Sequence, residues 1–233
     1  MTSKVWQKLL RSHHFLSRDF ILDLTKGCVI FAFQYTKAKQ RVNQITFQSD
    51  VAAAVKCMRD GGVIIYPTDT VWGIGCDATR SDAVRRVFEI KRRAEAKALI
   101  TLVGSVGQLC QYVDDPPEVA LELAELATTP CTIVYDHPRG LAQELLAPDG
   151  SAGVRLTSED YSRAICMGLR RPVVSTSANV SGEPTPKFFA EISKEIIDAV
   201  DYVAFYRRDD LTAHAASSVI KIASDSSMKI IRR

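Results

Sequence analysis

Beyond Gln44 the apolar positions of the chain keep changing period, from alternation at every second residue to recurrence at three and four. The first pattern marks a half-buried strand, the second one face of a helix. On this basis QITF, from Gln44, reads as a strand, and DVAAAVKCMRDGG as a helix capped by Asp50 and stopped at Gly61. VIIYP is short, continuous and β-branched, as a buried strand is. Behind Ser81, read as a second N-cap, Ala83, Val84, Val87 and Ile90 repeat at helical spacing. Further on, ALITLV, CTIVY, AGVRL, PVVST, YVAFY, SVIKI and MKIIR predict strands, while PEVALELAEL, EDYSRAICMGL and FFAEISKEIIDAV predict helices. Alternation of this kind predicts an α/β fold, a twisted, mixed and partly parallel open sheet with helices on its faces.

Composition changes this picture at one end. Residues 1–44 carry eight Lys or Arg against Asp19 and Asp23, a net of +6, leaving 22 basic and 25 acidic residues, a net of −3, for the rest. The reading is therefore a basic N-terminal extension over 1–44 and one catalytic-sized domain over 45–233. The extension also holds Trp6, His13, His14 and the apolar CVIFAF, so it is not a merely polar tail. It lacks a small-residue cleavage site after that apolar run, which argues against a secretory leader. The run from Gly27 to Phe33 falls far short of the ~20 residues a membrane-spanning helix needs, so no membrane association is expected. Six cysteines (Cys28, Cys57, Cys76, Cys110, Cys131 and Cys166) show neither Cys-x-x-Cys spacing nor disulfide density, which points to a reducing, cytoplasmic setting.

The candidate chemistry lies in uncharged polar rows. Thr68 and Thr70 follow VIIY, and Ser175, Ser177 and Asn179 follow PVV. Residues two apart in extended chain face the same way, so each row offers hydrogen-bonding groups on one side, at strand ends where open α/β sheets bind ligands. Lys91 and Arg93 in IKRRAEAK would diverge on an intact helix and converge only if the helix ends near Lys91. Arg155, alone in a short strand, faces solvent or needs an anionic partner. Together these describe a pocket for phosphate or carboxylate. GIGCDA lacks the third glycine of a dinucleotide fingerprint, and no Walker loop is present, so a triphosphate would be gripped by side chains and scattered N–H groups. Tyr66 and Trp72 read as packing residues, the cysteines as small core residues, and His137 and His214 as surface.

The segments YPTDTVWGIGCDA, Lys91-x-Arg93 and STSANVSG, in that order, resemble the YrdC-like family of threonylcarbamoyl-AMP synthases, with similarity from about Ile45 to Ile231. The resemblance implies a deep central cavity. It also implies a short, single-domain nucleotidyltransferase that joins L-threonine, bicarbonate and ATP into threonylcarbamoyl-AMP, releasing pyrophosphate, for threonylcarbamoyladenosine modification of tRNA. Carried over by position, Lys91, Arg93, Ser177 and Asn179 would hold the nucleotide phosphates as the catalytic set. Thr68, Thr70, Thr132, Arg155 and Ser175 would bind substrate. Mg²⁺ would arrive on the ATP, and transfer to tRNA would fall to a downstream threonylcarbamoyl transferase complex. Such chemistry needs positioning and charge stabilisation rather than a protein nucleophile, and a carboxylate in the STSAN loop would repel the triphosphate.

Departures from the family pattern bear on the substrate. Thr129-Pro130-Cys131-Thr132 keeps only part of a Pro-Gly-Pro turn, Ala94 and Ala98 stand where prolines are usual, and LTSEDY replaces a proline-rich segment after Arg155. The alternatives are an RNA-binding paralogue of the same fold, with contacts to tRNA or other RNA, and a nucleotide-using enzyme with a different acceptor.

Overall fold

A computed structural model describes residues 46–93, 99–212 and 215–233. The extension, Gln44 and Ile45, Ala94, Ala98 and His214 lie outside the described residues. The elements are helix α1 over residues 46–59, then β1 (Ile64–Tyr66), β2 (Gly73–Gly75), α2 (Ser81–Ile90), β3 (Ile100–Val103), α3 (Val106–Tyr112), α4 (Glu118–Leu126) and β4 (Cys131–Tyr135). They continue with β5 (Ala152–Leu156), α5 (Asp160–Leu169), β6 (Val173–Ser177), α6 (Lys194–Ala199), β7 (Tyr202–Val203), β8 (Ser218–Ile222) and β9 (Met228–Arg232).

The strands join in the order β7-β1-β2-β6-β3-β5-β4-β8-β9. β1 with β7, β3 with β5 and β4 with β8 run parallel, and the other neighbours antiparallel. This is the mixed, partly parallel sheet expected. Alternation along the strands separates two faces. Val174, Thr101, Val154, Ile133 and Ile220 are successive partners across five strands. Of these, Val154 and Ile133 pack with Val103, with Leu109 of α3 and with Ala120 of α4. The neighbouring row, Ser175, Ile100, Gly153, Val134 and Lys221, lies on the opposite face. The second face is core in part, through Leu102 and Val173, and elsewhere it is available to a ligand.

Several expectations are corrected. QITF is not a strand where it is described: Thr46 and Phe47 are helical, because Phe47, Val51 and Val55 continue one apolar stripe at four-residue spacing into the core. Asp50 is consequently no N-cap. It sits inside α1, 5% exposed, and its carboxylate accepts from the Tyr202 hydroxyl at 2.5 Å, the Phe205 N–H at 2.9 Å and the Tyr206 N–H at 2.8 Å. Ser81 is the first residue of α2, and Arg80 holds the cap position without a side-chain cap bond. FFAEISKEIIDAV breaks into a 3₁₀ turn at Phe189–Glu191 and α6, which Ser193 caps. YVAFY contributes only two strand residues. Gly61 does end the first helical stretch, with φ +92°. β2, absent from the sequence reading, is Gly-Ile-Gly because the sheet closes around it: a Cβ on Gly75 would meet the Val174 carbonyl oxygen at 2.0 Å. α3 was also missed; it is one short, polar-faced turn pair capped by Ser105.

Asp50 ties α1 to the segment after β7, and that segment carries Arg207, whose Nη1 donates to the Thr68 carbonyl at 3.4 Å. Asp50→Ala leaves three part-buried donors unanswered and is expected to cost about 1–3 kcal/mol, read as a lowered urea midpoint at unchanged slope. A midpoint within error of wild type would remove Asp50 from the fold's supports.

Candidate active site

The polar face of the sheet is the floor of a cavity of about 740 Å³. Gly73, Ser175, Ser177, Ile100, Gly153, Arg155, Thr132, Val134, Val219 and Lys221 all face into it, one or two from each strand between β2 and β8. The register explains the floor. Gly73 lies opposite Ser177, Ser175 opposite Ile100, Ile100 opposite Gly153, Gly153 opposite Val134, and Val134 opposite Lys221. Glycines and hydroxyls in that row keep it low enough to admit a ligand. Ser175 and Ser177 therefore line a sheet face rather than a strand end, since β6 runs on through Ser177, whereas Thr68 and Thr70 do follow the end of β1, as expected.

The structure brings seven of the nine candidates to this cavity: Thr68, Thr70, Arg93, Thr132, Arg155, Ser175 and Ser177. Thr68 and Thr70 face the same way, their hydroxyls 3.0 Å apart. Thr132 Oγ1 meets Ser217 Oγ at 3.1 Å, both buried. Arg155 is 3% exposed, and its Nη2 lies 3.0 Å from Asp69 Oδ1. The contact is an ion pair between two largely buried side chains. Tyr66 and Trp72 are packing residues as expected: the Tyr66 hydroxyl donates to the Val174 carbonyl at 2.9 Å, and Trp72 leans on Phe189 at 4.9 Å.

Lys91 and Asn179 stand behind the lining. α2 stops at Ile90, Lys91 is its C-cap, and Arg92 takes φ +48°, so the chain turns and Lys91 and Arg93 escape helical divergence. Lys91 is 1% exposed. Its ammonium donates to the Ser177 carbonyl and, at 2.6 Å, to the Asn179 carbonyl. Burial, aided by the charge of Arg93, pushes its pKa down to about 8. The Lys91 carbonyl in turn accepts from the Ser181 N–H at 2.9 Å. The Asn179 amide donates to the carbonyls of Val180 at 3.0 Å and Glu183 at 2.8 Å, and its Oδ1 has no hydrogen-bond partner among the described residues. Both side chains thus fasten the Ser177–Glu183 loop.

Two cavity cations escaped the sequence reading. Lys221 on β8 bridges Asp149 at 2.8 Å and Asp136 at 3.1 Å, and hydrogen bonds from Lys221 first and Ser151 next hold the Asp149 carboxyl well below its usual range. Arg232 on β9 donates from Nε and Nη2 to the Ser217 carbonyl at 3.1 and 2.9 Å. Lys221 was findable, because a lysine sharing a strand face with Val219 poses the same question that Arg155 did. With Arg93, Arg155, Lys221 and Arg232 against Asp149, the charged lining sums to +3.

Comparisons with known proteins fit this geometry. A family model described as telomere recombination, Sua5/YciO/YrdC, matches residues 56–233. A threonylcarbamoyl-AMP synthase of Pseudoalteromonas translucida (strain TAC 125) is 34% identical over 179 residues, 76% of this chain and 94% of its own. Among solved structures, a substituted P. abyssi Sua5 superposes with TM-score 0.70 at 25% identity, over 78% of this chain and 55% of that one. P. abyssi Sua5 complexed with L-threonine gives TM-score 0.64 at 24% identity, over 73% and 50%. The chain spans about half the length of those P. abyssi chains. A family model that covers most of the chain, together with the shared sheet, makes this protein a member of the Sua5/YciO/YrdC family.

Proposed function

We propose that the chain is an L-threonylcarbamoyl-AMP synthase, a nucleotidyltransferase that uses L-threonine, bicarbonate and ATP and releases pyrophosphate. One observation carries the reading: a cavity of about 740 Å³ floored by hydroxyls and glycines and lined by Arg93, Arg155, Lys221 and Arg232. The volume suits a nucleotide with a small second substrate, and the naming of a relative matched over 94% of its length supports the choice.

In this reading Arg93, with the Ser177–Asn179 loop, grips the phosphates, and Thr68, Thr70, Thr132, Arg155 and Ser175 surround the amino acid. Bicarbonate takes up a proton and loses water to give CO₂; the threonine ammonium gives up a proton, and its nitrogen lone pair bonds to the CO₂ carbon, a second N–H proton passing to water to leave the carbamate. A carbamate oxygen then bonds to the α-phosphorus as its bond to the bridging oxygen breaks, and pyrophosphate leaves with that electron pair. The protein supplies orientation and positive charge where negative charge builds up, in a site that excludes much of the water. Mg²⁺ belongs to the substrate here and travels on the triphosphate; among the described residues no group of three His, Cys, Asp or Glu forms a metal site. Among them, too, no helix is long and apolar enough to cross a membrane. Handing the product to a tRNA-modifying complex, in the cytoplasm, follows from the same proposal.

The test is pyrophosphate release by the purified protein with ATP, Mg²⁺ and bicarbonate, with L-threonine, L-serine or no amino acid. Release that needs both threonine and bicarbonate is expected. ATP binding without it would make the protein a nucleotide-using enzyme with another acceptor, and salt-sensitive RNA retention without any turnover would favour the binding paralogue.

A further inference from the structure

We propose that Asp69 is a positioning residue that holds Arg155 from behind the cavity wall and so prepares its guanidinium for a single carboxylate. The inference rests on the amino-acid end of the proposed site and names the residue that sets it.

Thr68 and Thr70 face the large cavity, and Asp69, between them, faces a separate hollow of about 320 Å³ bounded by Glu125, Thr129, Cys131, Glu159 and Arg207. Arg155 belongs to the large cavity. The ion pair at 3.0 Å therefore passes through the wall, with side chains 3% and 10% exposed. Arg155 Nε, also buried, has no hydrogen-bond partner among the described residues. One nitrogen of the planar fork is engaged from the rear while its neighbour stays available, and a guanidinium recognises carboxylate through two adjacent N–H groups.

The anchor is itself fixed. Thr68 Oγ1 accepts the Thr70 N–H at 3.1 Å, meets the Thr70 hydroxyl at 3.0 Å and donates to the Val71 carbonyl at 2.7 Å. Arg207 holds the Thr68 carbonyl from the far side. These bonds fix the backbone that carries Asp69. Because Asp69 answers the charge of Arg155, the pair offers direction without a net positive charge. That suits one carboxylate and disfavours a polyphosphate, which is left to Arg93.

Two readouts test this on the full-length protein: calorimetric titration with L-threonine and with ATP, and the Nε–H resonance of Arg155, assigned by its loss in Arg155→Lys. Asp69→Ala is expected to weaken threonine binding about tenfold or more, to leave ATP affinity within about twofold, and to average the Nε–H signal. Asp69→Asn keeps an acceptor in the same place and is expected to restore threonine binding to within about threefold with the signal retained. A parallel fall in both affinities would mean a general structural role and overturn the proposal, as would an Ala variant with unchanged threonine binding and signal. Should Asp69→Ala not fold, the Asn variant decides: loss of the ordered signal there would overturn it. A wild-type protein that takes ATP but no threonine would sink the synthase reading, and the Nε–H signal alone would then judge the anchor.

Discussion

Arg93→Ala is expected to lower threonine-dependent pyrophosphate release by about 10²–10³-fold, the usual effect of removing one preorganised electrostatic group, while the thermal unfolding midpoint barely moves. Arg93 lies on the turn beyond α2, outside regular structure, so its removal leaves the sheet and both apolar clusters untouched. Arg93 lines the cavity. Partial burial lowers the Arg93 pKa, yet a guanidinium stays protonated at neutral pH, and a charge already stripped of some water acts strongly on a ligand beside it. Arg93→Lys should recover only part of the loss, since an ammonium supplies the charge but not the fork. Turnover within about threefold of wild type in the Ala variant would place the phosphate grip elsewhere in the cavity.

Much of this site was legible from alternation alone. Ser175 with Ser177 and Asn179, and Thr68 with Thr70, were read as same-side rows; the register places the two serines, the two threonine hydroxyls meet at 3.0 Å, and only Asn179 falls behind the lining. Pairing could not be read: nothing in CTIVY or SVIKI says that Thr132 lies opposite Val219, so the sheet face that joins residues distant in sequence was invisible until the strands were ordered. β2 was lost because Gly-Ile-Gly has almost no strand propensity of its own, and its conformation is imposed by β1 and β6 on either side. Asp50 was misjudged because a local role, as helix cap, was available; it instead serves Phe205 and Tyr206, distant in the sequence. Local rules overrate local partners for Asp because they cannot see tertiary donors.

Lys91, singled out for the phosphates, also fastens the carbonyls of Ser177 and Asn179, and Lys91→Met is the variant that isolates this contact. The thioether fills the same channel without the charge or the donors. It leaves the Ser177 and Asn179 carbonyls unanswered, while the cost of burying an ammonium disappears. A folded protein with turnover lowered about 10²-fold is expected, the scale of loss when reacting groups are misplaced by a fraction of an ångström to an ångström. The pH profile supplies the sharper check. In the unfolded chain Lys91 keeps its proton up to about 10.5, but in the folded protein burial brings the pKa down to about 8. Across that window the unfolded state binds the extra proton, so the contribution of Lys91 to stability rises with pH and is lost again as pH falls through 8. Activity should run the other way. Above about pH 8 the amine loses its charge beside Arg93 and one of its three donors, the Ser177–Asn179 loop loosens, and the rate declines even as the fold gains. In Lys91→Met both slopes should vanish together. An alkaline limb that persists in the variant would assign the titration to the substrate, and wild-type turnover would show that the loop holds its place without the bolt.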